Sequence, residues 1–266
     1  MNIRVTKHVT AKESYYDTRA KCYDELNENS SKSINMVLEK ILRTHQIKSV
    51  LDLTCGTGSQ VLWLKDKGFD VVGSDISGSM LKIAKQKAKL KQLHITFLQE
   101  DCRTVYAGKF EAAITIFNSI GHLTRKDFEM TIQNINRNLD LGGLYIFDIF
   151  NLDYLKAGDN IVKLTIDWLT STNGQKFREI QFSTISDDGI LSSYSTYVHQ
   201  NANESPTKVS KGYTNTLQVY SSTELRHMLQ KNGFTVVDQT NIDGQVFSKE
   251  NSERILTVAR KVSNYD

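Results

Sequence analysis

The chain has 266 residues, 39% of them hydrophobic and 24% charged, with a formal net charge of +3. That length suits one large or two small domains, and the composition is that of an ordinary globular protein rather than a disordered, fibrous or collagen-like chain. The three cysteines, Cys22, Cys55 and Cys102, are an odd number with no C-x-x-C spacing, which suggests neither a disulfide framework nor a zinc site.

No run of the chain approaches a membrane span, and Met1-Asn2-Ile3-Arg4 opens without an apolar signal core, so a reducing cytoplasm is the expected compartment. The densest basic stretch, Lys82 to Lys91, alternates with apolar residues and reads as a solvated helix face, so no nucleic-acid partner is expected.

Residues 1–13 are polar and without period, and Tyr15-Tyr16-Asp17-Thr18-Arg19 to Tyr23-Asp24 follows. Ile34, Val37, Leu38 and Ile41 then recur at helical spacing and predict a core-facing helix. Ser49 to Leu53 is a short apolar run, the mark of a buried parallel strand. Thr54-Cys55-Gly56-Thr57-Gly58 reads as a turn, and Ser59 to Lys67 as a helix. Glycines there let the backbone take positive φ and let a ligand approach the main chain, with the helix amides pointing at it.

The pattern is a poor dinucleotide fingerprint, because Val61 stands where the third glycine belongs. Asp52, at the strand end, would repel a pyrophosphate and suit an ammonium group. The next strand, Phe69 to Ser74, ends at Asp75, a carboxylate placed to take both ribose hydroxyls. The pocket therefore favours a nucleoside with a cationic tail and no phosphate.

The stretch Leu51-Asp52-Leu53-Thr54-Cys55-Gly56-Thr57-Gly58, followed by Asp75, resembles the first two motifs of class I S-adenosylmethionine (SAM) methyltransferases. The resemblance covers roughly residues 15–150 and more loosely the rest. It implies SAM as cofactor and S-adenosylhomocysteine as product, with Thr54, Cys55 and Ile76 beside the aspartates and glycines among the cofactor contacts. It also implies that Tyr16 or Tyr23 covers the methionyl end, with Arg19 near its carboxylate; the alternative is an N-terminal helix packing its tyrosines on the core. Met80, in the helix opened by Ser77, is placed on the adenine by the resemblance and in the core by helical pattern.

His94 to Gln99 predicts a third strand, after which the resemblance sets Asp101 against the adenine amino group and the Cys102 amide at a ring nitrogen; an exposed loop acid is the alternative. Phe110 to Phe117 predicts a fourth strand, and Phe117 at its end is a further implied cofactor contact. Asn118-Ser119-Ile120-Gly121-His122 lacks the proline tetrad of DNA and glutamine methyltransferases and resembles enzymes of small amines, such as glycine N-methyltransferase. Asn118 is then expected to accept a hydrogen bond from an amine and His122 to take its proton, a role suited to a side chain with near-neutral pKa. Thr124-Arg125-Lys126-Asp127 reads as a capping box, Phe128 to Leu139 as a helix, Leu141-Gly142-Gly143 as its end, and Leu144 to Phe150 as a fifth strand.

After Asn151 the period changes from 3.6 to 2. Val162 to Trp168, Ile180 to Thr184, Leu191 to His199 and Thr214 to Tyr220 read as strands joined by turns at Asn173-Gly174 and Asp187-Asp188-Gly189. This antiparallel meander, with Arg178, Tyr194, Tyr197 and Tyr213 as candidate substrate contacts, is expected to wall the acceptor pocket; a contact between two copies of the chain is the alternative. Ser221 to Leu229 predicts a capped helix, and Phe234 to Thr240 with Arg254 to Lys261 a closing hairpin.

The expected fold is an α/β, doubly wound, Rossmann-like, mostly parallel seven-stranded sheet with that insertion. Residues 1–33 would cover the cofactor, 34–152 and 220–266 form the core, and 153–219 the insertion. The expected activity is SAM-dependent transfer to a small-molecule acceptor, most simply an amine nitrogen. An O-methyltransferase, a tRNA-modifying enzyme and a silent SAM-binding module are the alternatives.

Overall fold

The computed structural model describes residues 7–13, 23–158, 160–161, 170–172, 175–200, 208–210 and 214–265. Its centre is a seven-stranded sheet made of β1 (Ser49–Asp52), β2 (Asp70–Asp75), β3 (Thr96–Gln99), β4 (Phe110–Thr115), β5 (Leu139–Phe150), β11 (Phe234–Thr240) and β12 (Arg254–Lys261). The strand order is β11-β12-β5-β4-β1-β2-β3. The first five strands run parallel, and β12 is antiparallel to both β5 and β11. From β1 the chain winds outward to β2 and β3, then returns to lay β4 on the other side of β1. The crevice at the carboxyl ends of β1 and β4 is thus the switch point where open α/β sheets hold ligands.

Both faces of the sheet are covered, which explains why its strands are nearly all apolar. Along β5, Tyr145, Phe147 and Ile149 face one layer while Leu144 and Ile146 face the other. The first layer holds α4 (Arg125–Asn138), through Phe128, Ile132 and Ile135, and α6 (Ser222–Lys231), through Leu225 and Leu229. The second holds α1 (Tyr23–Thr44), through Ile34, Leu38 and Leu42, and α2 (Ser59–Asp66), through Val61 and Leu64. Each such side chain, fully buried, contributes about 1.5–3 kcal/mol. Helix starts are specified locally: Ser77 caps α3 (Gly78–Leu90), Thr124 caps α4, and Ser221 with Glu224 forms a reciprocal capping box on α6.

The insertion is a second, antiparallel sheet of β6 (Thr170–Thr172), β7 (Gln175–Ile185), β8 (Ile190–Gln200), β9 (Lys208–Ser210) and β10 (Thr214–Gln218). It is anchored where Leu191 and Val219 pack on Leu152 and Leu155 of the short helix α5 (Leu152–Lys156). That helix, and a 3-10 turn at Ser119–His122, are too short to show a period and were not expected from sequence. The predicted strand Val162 to Trp168 and the Asn173-Gly174 turn lie outside the described residues.

Two expectations are corrected. Leu141-Gly142-Gly143 does not end the helix: α4 stops at Asn138 and these residues lie within β5. The register against β4 steps from Phe110↔Leu139 to Ala112↔Leu144, and the extra residues bulge out. Gly142 takes φ +85°, and a Cβ on Gly143 would sit 2.9 Å from the Asp140 carbonyl oxygen, so glycine is required by the bulge itself. The division at residue 33 falls inside α1, which runs unbroken from Tyr23 to Thr44.

Candidate active site

The switch-point crevice opens into a cavity with about 1090 Å³ of empty space, counting the part open to solvent. Its floor is the turn after β1. Gly56 and Gly58 take φ +53° and +89°, and a Cβ on Gly58 would approach the Ala84 Cβ to 3.1 Å. Asp75, at the end of β2, holds this turn: Oδ2 accepts from the Gly56 amide and Oδ1 from the Ser77 amide, both at 2.8 Å. Each carboxylate oxygen keeps further acceptor capacity toward the cavity. Burial pushes the Asp75 pKa up, and the two amides oppose it.

Asp52 lies behind the floor, not in the cavity wall. It is 1% exposed; Oδ1 accepts from the Thr54 amide at 3.1 Å, and Oδ2 has no partner among the described residues. Burial raises its pKa to about 8, against the pull of the Thr54 amide and with a further push from Asp75. Thr54 lines the cavity, and its hydroxyl is likewise buried without a partner among the described residues. Cys55 and Cys102 also line the cavity, but burial drives the first thiol well up and the second to about 12. Neither is a thiolate nucleophile near neutral pH.

The opposite wall is the exit from β4. Phe117 and Asn118 both take left-handed backbone, φ +62° and +59°, which side chains normally avoid. Asp148, fully buried at the end of β5, holds them there: its Oδ1 accepts the Phe117 amide at 2.7 Å and its Oδ2 the Asn118 amide at 3.2 Å. Arg254 of β12 pairs with the same carboxylate. The reversal turns Phe117, Ser119 and His122 into the cavity wall. Asn118 is a correction. It is 6% exposed and outside the cavity wall, and its Oδ1 accepts the Phe150 amide at 3.0 Å, so it braces β5 rather than facing an acceptor.

The third side carries the acid after β3. Asp101 lines the cavity, and its carboxylate is gripped by Arg103, whose Nε lies 3.0 and 3.1 Å from its two oxygens. Arg103 reaches on to Asp127 Oδ1 at 3.0 Å. Against the upward push of burial, Arg103 holds the Asp101 carboxyl below the usual range, and the hydroxyls of Thr10 and Thr124, then Arg103, do the same for Asp127. Asp127 also accepts the hydroxyls of Thr124 and Thr10.

Thr10 belongs to a strap, residues 7–13, laid across the cavity. His8 bonds to the Leu123 carbonyl oxygen and to Thr216 of β10, both at 3.0 Å, and the Ala11 amide donates to the His122 carbonyl oxygen. At the far end Gln99 donates to Glu13.

Of the residues singled out in the sequence, Thr54, Cys55, Gly56, Asp75, Ile76 and Met80 share one cavity with Asp101, Cys102, Phe117 and His122. Gly58 caps α2 beneath it. Tyr16, Arg19 and Tyr213 lie outside the described residues, as do the side chains of Tyr23, Arg178 and Tyr197. Tyr194 is in β8 and is not part of the cavity wall. Thr10, Lys12 and Arg103 line the cavity without having been singled out. Their signal is long-range, except that Arg103 stands two residues from Asp101. Among the described residues no His/Cys/Asp/Glu group would hold a metal, and no helix is long and apolar enough to cross a membrane.

Residues 50–143 match a family model described as a methyltransferase domain. The Bacillus subtilis protein YqeM is 39% identical over 103 residues, 38% of this chain and 41% of that one. Human glycine N-methyltransferase is 30% identical over 132 residues, 43% of this chain and 45% of that enzyme. The chain thus spans under half the length of these curated relatives. Among solved structures, an S-adenosylmethionine-dependent methyltransferase from Clostridium acetobutylicum superposes with TM-score 0.73 at 18% identity, covering 93% of this chain and 99% of that one, a likeness of fold. The glycine turn, the acid ending β2 and the family match fall on the same residues: residues 50–143 form a methyltransferase domain, set in a sheet whose fold SAM-dependent methyltransferases of known structure share.

Proposed function

We propose that the protein transfers a methyl group from SAM to an amine nitrogen of a small molecule. The observation that carries this reading is the sharing of one cavity, under one strap, by the Gly56 turn with Asp75 and by His122. The residues suit the cofactor. Asp52 Oδ2 behind the floor and Thr54 Oγ1 have no partners among the described residues, Asp75 has acceptor capacity to spare for two ribose hydroxyls, and a Cβ on Gly56 would meet the Met80 Cε at an ordinary 3.7 Å. When bound, SAM supplies a methyl carbon on a cationic sulfur that departs as a neutral thioether.

The chain's own task is then positioning. Met80, Ile76 and Cys102 supply apolar wall for a nucleobase, with Asp101 at its edge. The strap excludes water, and His122 takes the proton that the amine must lose for its lone pair to attack. Nitrogen as the acceptor atom draws support from the glycine N-methyltransferase likeness and from the resemblance of Asn118-Ser119-Ile120-Gly121-His122 to enzymes of small amines.

The test is calorimetry with S-adenosylhomocysteine, then labelled-methyl transfer screened over amines, phenols and tRNA. Saturable binding with transfer to amines is expected, and His122→Ala should slow that transfer by about 10²-fold or more. Transfer to tRNA or phenols alone, or binding without transfer to any of them, would refute the proposal.

A further inference from the structure

The carboxyl of Asp52 is sealed beneath the cavity floor with one oxygen unanswered. Its Oδ1 is held by the Thr54 amide, and Oδ2 meets no donor among the described residues. The titratable groups that face it are Asp75 on β2 and Cys55 in the turn. Asp75 is an acid already engaged by two amides, and the buried Cys55 thiol keeps its proton, so no cation answers Asp52 among the described residues. Thr54, whose amide holds this carboxyl, itself lines the cavity, and its hydroxyl has no partner among the described residues. A carboxylate removed from water without a cation takes a proton rather than remain charged.

We propose that Asp52 is protonated in the ligand-free protein and gives that proton to solvent when a ligand bearing a primary ammonium group settles over the Thr54 side of the turn. This rests on the cofactor reading above. The Asp52 O–H bond breaks, the carboxylate keeps the electron pair, the proton passes to buffer, and the ammonium charge replaces it. A pKa of about 8 agrees with this geometry. It leaves roughly nine-tenths of the groups protonated at pH 7. At Asp75 burial also pushes the pKa up, and two amides oppose it.

One consequence is a cofactor affinity that climbs with pH, about tenfold per unit between pH 5.5 and 7, because release of one proton accompanies binding. The decisive measurement is titration calorimetry of the full chain with S-adenosylhomocysteine at pH 7 in buffers of different ionisation enthalpy. The slope should report between about 0.7 and 1 proton released, the shortfall reflecting the ligand's own amino group, whose pKa is close to that of an α-amine. Asp52→Asn should abolish the release. So should 5′-methylthioadenosine as ligand on the unmodified protein, since it has the nucleoside but no ammonium. Saturable binding with a buffer-independent enthalpy would overturn this inference and leave the methyltransferase reading standing. The same would follow from equal proton release with the variant or with methylthioadenosine. Absence of any S-adenosylhomocysteine binding would overturn both.

Discussion

Replacing Asp148 with alanine tests how the acceptor wall is held. The carboxylate lies at 0% exposure and accepts the amides of two consecutive left-handed residues, Phe117 and Asn118, at 2.7 and 3.2 Å. Left-handed backbone costs about 1–2 kcal/mol for each residue with a side chain, so the pair stores about 2–4 kcal/mol. Two hydrogen bonds to a charged acceptor, at about 1.5–3 kcal/mol each, offset that strain. Asp148→Ala removes both and leaves the Arg254 guanidinium without its partner. Breaking one side of a buried pair costs about 3–5 kcal/mol. Arg254 keeps 20% side-chain exposure and can regain some hydration, which places the expected loss near the lower figure. The assay is urea unfolding followed by far-UV circular dichroism, with S-adenosylhomocysteine calorimetry on the folded variant. Stability should fall by about 3 kcal/mol, and affinity by about tenfold as Phe117 and His122 leave the wall. Adding Arg254→Met should recover part of the stability, because the uncompensated charge is gone. A loss below about 1 kcal/mol, or no recovery in the double variant, would show that this carboxylate does not hold the turn.

Gly58→Ala should lower the melting temperature by several degrees in differential scanning fluorimetry, since φ +89° is costly for alanine and its Cβ would meet the Ala84 Cβ at 3.1 Å; an unchanged midpoint would contradict that. Thr10→Val removes a donor to Asp127 and the acceptor of the Thr124 amide, and hydrogen exchange of residues 7–13 should quicken while the central sheet stays protected. The buried Asp52 sets a pH dependence of stability. Its ordinary pKa is 3.8 and burial lifts it to about 8, so between these values the folded state holds a proton that the unfolded state has lost. That contribution is complete below pH 3.8 and is lost as pH rises through 8, at about 1.4 kcal/mol per unit at most. Urea unfolding of the ligand-free protein at pH 5, 6 and 7 should show stability declining less steeply in Asp52→Asn than in the unmodified chain; parallel slopes would exclude a raised pKa at Asp52.

Much of the fold could be read from neighbouring residues. A strand buried on both sides must be apolar throughout, so β1, β2 and β4 announced themselves, and the caps Ser77, Thr124 and Ser221 bond to amides only three residues away. The floor of the site was readable for the same reason: Gly56, Gly58 and Asp75 act through backbone conformation and a strand end. The β5 bulge was not, because Gly142 and Gly143 serve a helix end and a bulge equally well until β4 is laid alongside.

What adjacency cannot specify is the partner of a side chain. His8 meets Thr216 across 208 positions, and Arg254 meets Asp148 across 106. Asn118 looked free to bind an amine until packing of β5 supplied the Phe150 amide 32 residues on. Asp101, read as a partner for an adenine amino group, is paired with Arg103, which in turn reaches Asp127. Strand, helix and turn follow from local hydrogen bonding and the burial of alternate residues, and the chain states these along its length. Which buried polar groups stay unanswered around the cavity floor, Asp52 and Thr54 among the described residues, depends on what distant elements bring near them, and that was settled only when the layers packed.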